Sequence, residues 1–523
     1  MLDSTQRLVL ETLEMNKQAL VFAPSRSSAE KTAEELSKLT SFNLPELEKQ
    51  ILHALSQPTK QCRRLSNCVR KGIAFHHSGL IGEQKELIEE EFRKGTIKII
   101  CCTPTLAAGI STPAFRVIIK SLRRFSDQWG MDWIPVLEYM QMSGRAGRPE
   151  YEKWGEAITL AKDEKEKEEI YQRYICGVPE DIYSKLAVEP VLRTYLLSLI
   201  ASGIIYDAKS LKEFFQNTFW AHQFKDIPQL EGKMEKMLQL LEAWQMVIVK
   251  SGSEDKNEFA SDNSNGFVAA NHLNEIKERK LRSTLLGKRV SELYLDPLTA
   301  KHLLDGLKNY STDKKTFSLL QLISHTLEIR PLLRVKSKDE ETVQEELTKN
   351  YDQLLEKEPS AFDHEYEEFI NSIKTALFFS EWINEADEDY LLEKYDIRPG
   401  EIKVKLDLAD WLLYACEELG KVSGMEKNLL NEISKLRIRV KYGVKEELLT
   451  LLRLKGIGRI RARKLVLHGI KDLGEIKKAD VTSLSQILGS KILAEDVKKQ
   501  VGEEVPEEVS SFKRKGQMGL GKY

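Results

Sequence analysis

The sequence predicts an α/β domain built on a parallel sheet, followed by a longer run of mostly α-helical domains. Short, wholly apolar runs alternate with polar helical stretches in the amino-terminal third. After about Glu164 that alternation gives way to amphipathic helices, and basic residues gather near the carboxyl end around a Gly-Ile-Gly turn. Apolar strands alternating with helices are the mark of a parallel sheet covered on both faces.

The strands come first. Ala19–Ala23 is an apolar run, followed by Pro24-Ser25-Arg26 and a helix with charged faces from Ser28 to about Lys38. Ile97–Cys102 repeats the rhythm and ends in Thr103-Pro104, while Val117–Ile119 and Ala157–Leu160 read as two more strands. Ligands of such sheets sit beyond the carboxyl ends of the strands. That rule singles out Ser25-Arg26, His76 through Gly79, Thr103 through Gly109, and the string Gln141 to Pro149. His76 and His77 are adjacent on an extended segment and point to opposite faces, so a shared metal is not expected. Between Val117 and Gln141, two strand-like runs flank the turn-rich Ser126–Asp132, the pattern of a β-hairpin.

Pro179–Ala187 reads as the opening of a helical region, with a highly apolar stretch from Thr194 to Ser202. Met246–Lys250 and Gly266–Ala270 are short β-like runs around an acidic, Ser/Asn-rich loop, the order of a winged helix with a solvated wing. Successive amphipathic helices with acidic outer faces continue to about Glu432. One of them starts at Pro399-Gly400 and carries a core stripe of Ile402, Leu406, Ala409 and Leu413, with Trp411 off that stripe. Beyond Ser434, Lys435, Arg437, Arg439, Lys441 and Lys445 lead into Leu451–Leu465: an apolar helix end, Gly456-Ile457-Gly458, then a second helix with Ala462. This is the helix-hairpin-helix pattern. Its glycines permit a turn whose amides bind a backbone phosphate without reading bases, and Arg459, Arg461 and Arg463 add charge around it. The domains so expected are 1–170, 171–285, 286–432 and 433–500, with a flexible basic tail over 501–523.

Composition narrows the function classes. The 523 residues are 41% hydrophobic with a formal charge of −2. That allows about three to five domains and requires a nucleic-acid binder to concentrate its basic residues locally. No run approaches the ~20 apolar residues of a membrane span, and the first residues carry early acids unlike a signal peptide. The six cysteines form no CxxC pair and no ligand spacing with histidine, so no metal centre is expected and free thiols imply a cytoplasmic protein.

Gln141-Met-Ser-Gly-Arg-Ala-Gly-Arg-Pro149 is the most informative string. Arg145 and Arg148 present rigid forks that match phosphate oxygens, and such an arginine changes a phosphoryl-transfer rate by roughly 10³ to 10⁵. The string resembles motif VI of superfamily 2 helicases. Cys102–Pro113 resembles motif V, and Ser25-Arg26 and His76–Gly79 resemble motifs IV and IVa, all in the family's order. Leu286–Leu298 is similar to the segment that enters the helical ratchet domain of the archaeal Hjm-type Ski2-like DNA helicases, and the resemblance extends over nearly the whole chain.

The resemblance implies a RecA-like first domain with Arg145 and Arg148 as catalytic residues and nucleotide contacts at Gln141, Gly109 and Ser111. The family carries Asn or Asp where Ser111 stands, and the shorter side chain shortens the reach. Nucleic-acid contacts are implied at Arg26, His77 and Thr103. The hairpin, with Arg124 and Phe125, separates the duplex in the family; its aromatics, Trp129 and Trp133 included, either stack on a base pair or pack within the domain. Trp411 matches a tryptophan that stacks on the translocating strand. The family's basic residue two turns earlier falls at Val404, between Lys403 and Lys405.

ATP and Mg²⁺ are the implied cofactors, held mainly by a first RecA-like lobe with a phosphate loop. The sequence contains no GxxxxGK[ST] string; Gly516–Lys522 comes near, but Tyr523 replaces the hydroxyl and no helix follows. The expectation is therefore that the chain starts at the second RecA-like domain and hydrolyses ATP negligibly alone. The implied function is an ATP-dependent DNA helicase for forked or branched DNA in repair or recombination, moving 3′ to 5′. Expected partners are single-stranded and forked DNA, a separate P-loop RecA-like chain, and a sliding clamp through Gln517, Leu520 and Tyr523, against the plainer reading of a disordered tail. Two other readings are open: an RNA helicase of the same superfamily, against which the helix-hairpin-helix argues, and a non-catalytic DNA-binding accessory chain.

Overall fold

The computed structural model describes residues 2–55, 58–107, 114–126, 130–147, 154–225, 227–250, 280–311 and 316–502. Gly109, Ser111, Trp129, Arg148, the Gly266–Ala270 run and the tail residues Gln517, Leu520 and Tyr523 lie outside the described residues. The rest falls into two compact units. One comprises residues up to Asp305 with Thr326–Arg330 and Asp387–Leu408; the other comprises Gly306–His325, Pro331–Ala386 and the chain from Ala409 onward.

The first unit opens with α1 (Ser4–Glu14), β1 (Ala19–Phe22), α2 (Arg26–Ser37), α3 (Pro45–His53), α4 (Lys60–Arg70), β2 (Ile73–His76), α5 (Gly82–Arg93) and β3 (Ile99–Cys102). It continues with β4 (Arg116–Ile119), β5 (Arg123–Ser126), β6 (Gly130–Trp133), α6 (Val136–Ser143), β7 (Glu156–Thr159) and α7 (Glu164–Ile170). Local chemistry starts the helices. Ser25 accepts from the Ser28 amide at the head of α2, Thr59 does the same for Cys62 on α4, and Asp3 and Gln6 cap each other on α1. Five strands form a wholly parallel sheet in the order β2-β3-β1-β4-β7. Every residue of β1 to β4 is buried, which is why those strands read as apolar runs rather than alternating ones. One hydrophobic core runs from Val9 to Tyr174 around this sheet. The expected hairpin is present as antiparallel β5–β6, with Ser126 opposite Gly130 in register.

Beyond the sheet lie α8 (Glu189–Ala201), α9 (Ala208–Gln216), α10 (Phe219–Phe224), α11 (Ile227–Ala243), β8 (Val247–Lys250), β9 (Lys280–Ser283), α12 (Leu285–Glu292) and α13 (Pro297–Lys308). One expectation changes here. The helix expected over Pro179–Ala187 does not form, and α8 begins only at Glu189. The segment's polar groups bond outward instead: Glu180 accepts the Val136 and Leu137 amides at 2.6 and 3.1 Å, and Gln223 bonds the Ser184 amide and the Ile182 carbonyl. β8 pairs with β9, Lys280–Ser283, and the Gly266–Ala270 run expected beside it lies outside the described residues.

The second unit contains α14 (Thr316–Ser324), α15 (Glu340–Asn350) and α16 (Tyr366–Ile383). α17 (Glu388–Tyr395) belongs to the first unit, and α18 (Pro399–Val422) starts there and ends in the second. α19 (Lys427–Tyr442), α20 (Arg459–Leu467), α21 (Leu473–Lys478), α22 (Val481–Leu488) and α23 (Lys491–Gln500) complete the second unit. α14 is buried from Phe317 through Ser324, and its Gln321 donates to Ser372 on α16. The last four helices close a separate core from Val444 to Val497. The expected domain limit between 432 and 433 cuts through α19, so the small module begins after that helix. Its first element is a pair of 3₁₀ turns, Glu446–Leu448 and Leu451–Arg453, instead of an α-helix.

Candidate nucleotide and nucleic-acid site

The arginine string follows α6. Its helix has no side-chain cap of its own; the Glu180 carboxylate binds the first two amides, and those bonds hold that carboxyl below the usual range. At the far end, Gln141 is exposed and Arg145 is half-buried just past the terminal Gly144. A parallel bridge joins Ala114 to Ala146: the Ala114 amide donates to the Arg145 carbonyl at 3.0 Å, and the Gly147 amide returns to Ala114 at 2.7 Å. The Arg145 guanidinium bonds the Ala107 carbonyl through Nε at 3.1 Å and through a second nitrogen. The two strongest sequence motifs are thus joined by backbone and side chain.

A cavity of about 490 Å³ opens beyond the carboxyl ends of β1, β3 and β4. Phe22 and Pro24 line it from one strand, Thr105 from the next, Arg124 from the hairpin, and Glu138 and Gln141 from α6. It brings Gln141 and Arg124 to one place. Arg124 is half exposed, and one of its terminal nitrogens donates to both carboxylate oxygens of Glu138, at 2.9 and 3.1 Å. Phe125 follows it on β5, opposite Met131 in register. Trp133 packs inward: Arg123 lies 4.0 Å over its ring, and Tyr174 lies beside it. Thr103 ends β3 almost buried, its hydroxyl 2.9 Å from that of Thr105.

Of the other two residues expected to contact nucleic acid, His77 leads to a buried carboxylate that the sequence reading missed. It is fully buried and bonds within the domain. Its Nδ1 accepts from the Gly79 amide at 3.1 Å, which leaves Nε2 as the donor to Glu30 at 3.0 Å. Burial keeps this imidazole below its ordinary pKa despite the carboxylate beside it. Glu30, on α2, is 2% exposed and also accepts from Gln61, Arg64 and Arg398. Burial alone would raise its pKa, but the hydrogen bonds from His77 and Gln61 and the charges of Arg398 and Arg64 bring it down to about 2. Arg26, at the first turn of α2, pairs with Glu401 on α18. No local pattern marks Glu30, because its partners come from three separate segments: α4, the end of β2 and the residues before α18.

In the second unit, Trp411 is half-buried on α18, while Ala409 and Leu413 of the predicted stripe are completely buried. Arg437 forks onto the neighbouring Asp410 at 2.8 and 3.3 Å. Gly456 adopts φ +81°, the left-handed conformation that a turn there requires. Gly458 starts α20 with extended backbone and open space where a Cβ would stand, and no side chain caps that helix. The three arginines differ. Arg459 donates to the Ala386 carbonyl and lies 4.9 Å over the Trp382 ring; Arg463 forks onto Glu385 and also reaches Glu447 at 2.7 Å. These two hold the module to the end of α16. Arg461 is exposed and braces the turn by donating to the Gly456 carbonyl at 2.8 Å. On α18, Lys405 is buried, which lowers its pKa to about 8, whereas Lys403 and Val404 face solvent.

Residues 2–150 match the family of helicase conserved C-terminal domains, and residues 317–443 match domain 4 of archaeal helicases. The ATP-dependent DNA helicase Hel308 of Methanococcus vannielii is 37% identical over 512 residues, covering 93% of this chain and 67% of the relative. The chain belongs to the Hel308 family. Its relatives of the same name from Pyrococcus horikoshii and Pyrococcus abyssi are 37% and 36% identical, covering 96% and 98% of the chain and 66% and 68% of their own lengths. The chain thus spans about two thirds of the length of these Hel308 proteins. Among the described residues, no helix is long and apolar enough to cross a membrane.

Proposed function

We propose that this chain carries the second motor lobe and the DNA-handling domains of an ATP-dependent DNA helicase that unwinds forked or branched DNA, moving 3′ to 5′. The observation that carries the reading is the joint between the two motifs: the Ala114–Ala146 bridge and the Arg145–Ala107 bonds, in a chain of the Hel308 family. Bound ATP with Mg²⁺ supplies the phosphoryl transfer. Arg145 and Gln141 suit the phosphate end of such a nucleotide: Gln141 is in the last turn of α6 and Arg145 just beyond it, and among the described residues the guanidinium bonds a carbonyl, which a phosphate outcompetes. They do not form a cradle for it, and the 523 residues hold no GxxxxGK[ST] string, so the phosphate loop comes from outside them. Because Arg145 holds Ala107 in the same loop as Thr103, its movement toward phosphate is transmitted to the strand-binding edge of the sheet.

The helices α8, α9 and α11 with the β8–β9 hairpin support a winged-helix module, and the uncapped start of α20 supports a helix-hairpin-helix contact with DNA phosphates. The pure chain is expected to bind forked DNA with affinity that falls steeply with salt and to hydrolyse ATP negligibly. Adding a phosphate-loop RecA-like polypeptide is expected to yield hydrolysis stimulated more by single-stranded DNA than by RNA. Full hydrolysis by the pure chain, or DNA binding indifferent to salt, would overturn the proposal.

A further inference from the structure

The start of α18 is fastened to the sheet domain at three points, and they are not equivalent. The Gly400 amide donates to the Gly79 carbonyl at 2.9 Å, and a Cβ at Gly400 would run into the carbonyl oxygens of Ser78 and Leu80. Arg398 reaches Glu30 at 3.1 Å, inside a network in which Glu30 and His77 are buried. Both bonds end on a buried group, Gly400 in one and the 2% exposed Glu30 in the other, although Arg398 itself is 30% exposed. The third, between Arg26 and Glu401, lies at the surface, with side chains 38% and 29% exposed. An exposed pair contributes little and is open to competition by other anions.

Both partners are set up for exchange. Arg26 stands at the amino-terminal end of α2, where the helix dipole and free amides favour a negative group. Glu401 keeps a partner when Arg26 leaves, because its other oxygen accepts the Arg398 amide at 3.0 Å, closing the first turn of α18. The geometry points to Glu401 as a residue that controls nucleic-acid binding: its carboxylate occupies the Arg26 guanidinium, and a backbone phosphate of the bound strand displaces it. This rests on the reading of Arg26 as a nucleic-acid contact. Glu401 lowers affinity for the strand and makes engagement of Arg26 a step separate from the docking of α18, which Glu30 and Gly400 maintain throughout.

The test uses the full chain and a fluorescent single-stranded oligodeoxynucleotide, with affinity read by anisotropy between about 50 and 200 mM salt. Glu401→Gln keeps the acceptor for the Arg398 amide and removes the charge. It is expected to tighten binding about two- to fivefold, the scale of one exposed ion pair. Arg26→Gln is expected to weaken binding and flatten the salt dependence by about 0.7 in log–log slope, one phosphate contact on a single strand. In the Arg26→Gln background, Glu401→Gln is expected to change nothing. If Arg26→Gln leaves affinity and slope untouched, the reading of Arg26 fails. If it weakens binding while Glu401→Gln alone fails to tighten it, the exchange is overturned. Thermal unfolding of each variant shows that it is folded; should Glu401→Gln not fold, Glu401→Ser, which also accepts at a helix start, carries the same comparison.

Discussion

Two carboxylates organise the basic residues of this protein, Glu30 in the sheet domain and Glu385 beside the small carboxyl-terminal module, and they do so differently. Glu30 is buried and draws on four residues, one of them a neutral histidine. Glu385 is less buried and serves one arginine with a bidentate fork, plus the Lys445 amide. Around Glu30, the arginine nearest the nucleic-acid motifs, Arg26, is left outside the network on a surface pair. Around Glu385, the arginines of the recognition turn are themselves drawn in, and only Arg461 stays exposed. The difference teaches that an acid withdrawn from water holds its arginine partners firmly, whereas an ion pair at the surface contributes little.

The largest expected effect lies outside both hubs and calibrates them. With the phosphate-loop lobe supplied, Arg145→Ala is expected to lower DNA-stimulated hydrolysis about 10³-fold or more while leaving the melting temperature nearly unchanged, since among the described residues its side chain bonds one carbonyl, that of Ala107. A matching loss of stability would mean that Arg145 is a structural brace.

Glu30→Gln tests the buried hub. The folded pKa of about 2 lies below the ordinary 4.5, so the unfolded chain takes up the proton first. The stability that this ionisation supplies is complete above pH 4.5 and disappears as pH falls toward 2. Near neutral pH the variant is expected to lose about 3 kcal/mol, with the gap from wild type closing on acidification. A gap that stays constant with pH, followed by denaturant unfolding, would show that packing rather than charge gives Glu30 its role.

The Glu385 side is tested by contrast. Arg463→Ala is expected to cost about 2–3 kcal/mol of stability because it strands a partly buried acid. Arg461→Ala is expected to leave stability intact and weaken DNA binding about fivefold, with the log–log salt slope lower by about 0.9 on duplex DNA. Equal losses of DNA affinity in the two variants would erase the distinction drawn between them.

The smallest effect concerns Lys405, whose burial lowers its pKa to about 8. Its folded pKa lies below the ordinary 10.5, so keeping it charged opposes folding at neutral pH, and that opposition fades as pH rises through 8. Lys405→Met is expected to stabilise the protein by about 1 kcal/mol near pH 7 and by less near pH 10. Destabilisation in a melting experiment at pH 7 would assign the lysine a needed hydrogen bond.

What was legible in the sequence was what short-range chemistry encodes. The strands at β1, β3 and β4 announced themselves because burial on both faces demands unbroken apolar runs, whereas β7 is a partly exposed edge strand that showed through its short Ala157–Leu160 run. β2 was harder to see, since Ile73-Ala-Phe-His76 is brief and ends in a histidine that pairs with Glu89. Pro179–Ala187 was misread as helix for a related reason. Its composition suits a helix, but Glu180 bonds amides more than forty positions away, and no local pattern carries that information. The arginine string, the Gly456–Gly458 turn and the helix of Trp411 were all recognisable, because in each the chemistry is contiguous.

The sequence by itself determined the kinds of element, their order and the motifs that belong to a helicase. The tertiary structure decided which of the charged residues remain available. Arg26 and Glu401 are 375 positions apart, and Arg463 and Glu385 are 78 apart. Whether an arginine meets a phosphate or a carboxylate depends on which acid the fold brings within about 3 Å and how far that acid has been withdrawn from water. Both quantities are properties of the packed chain.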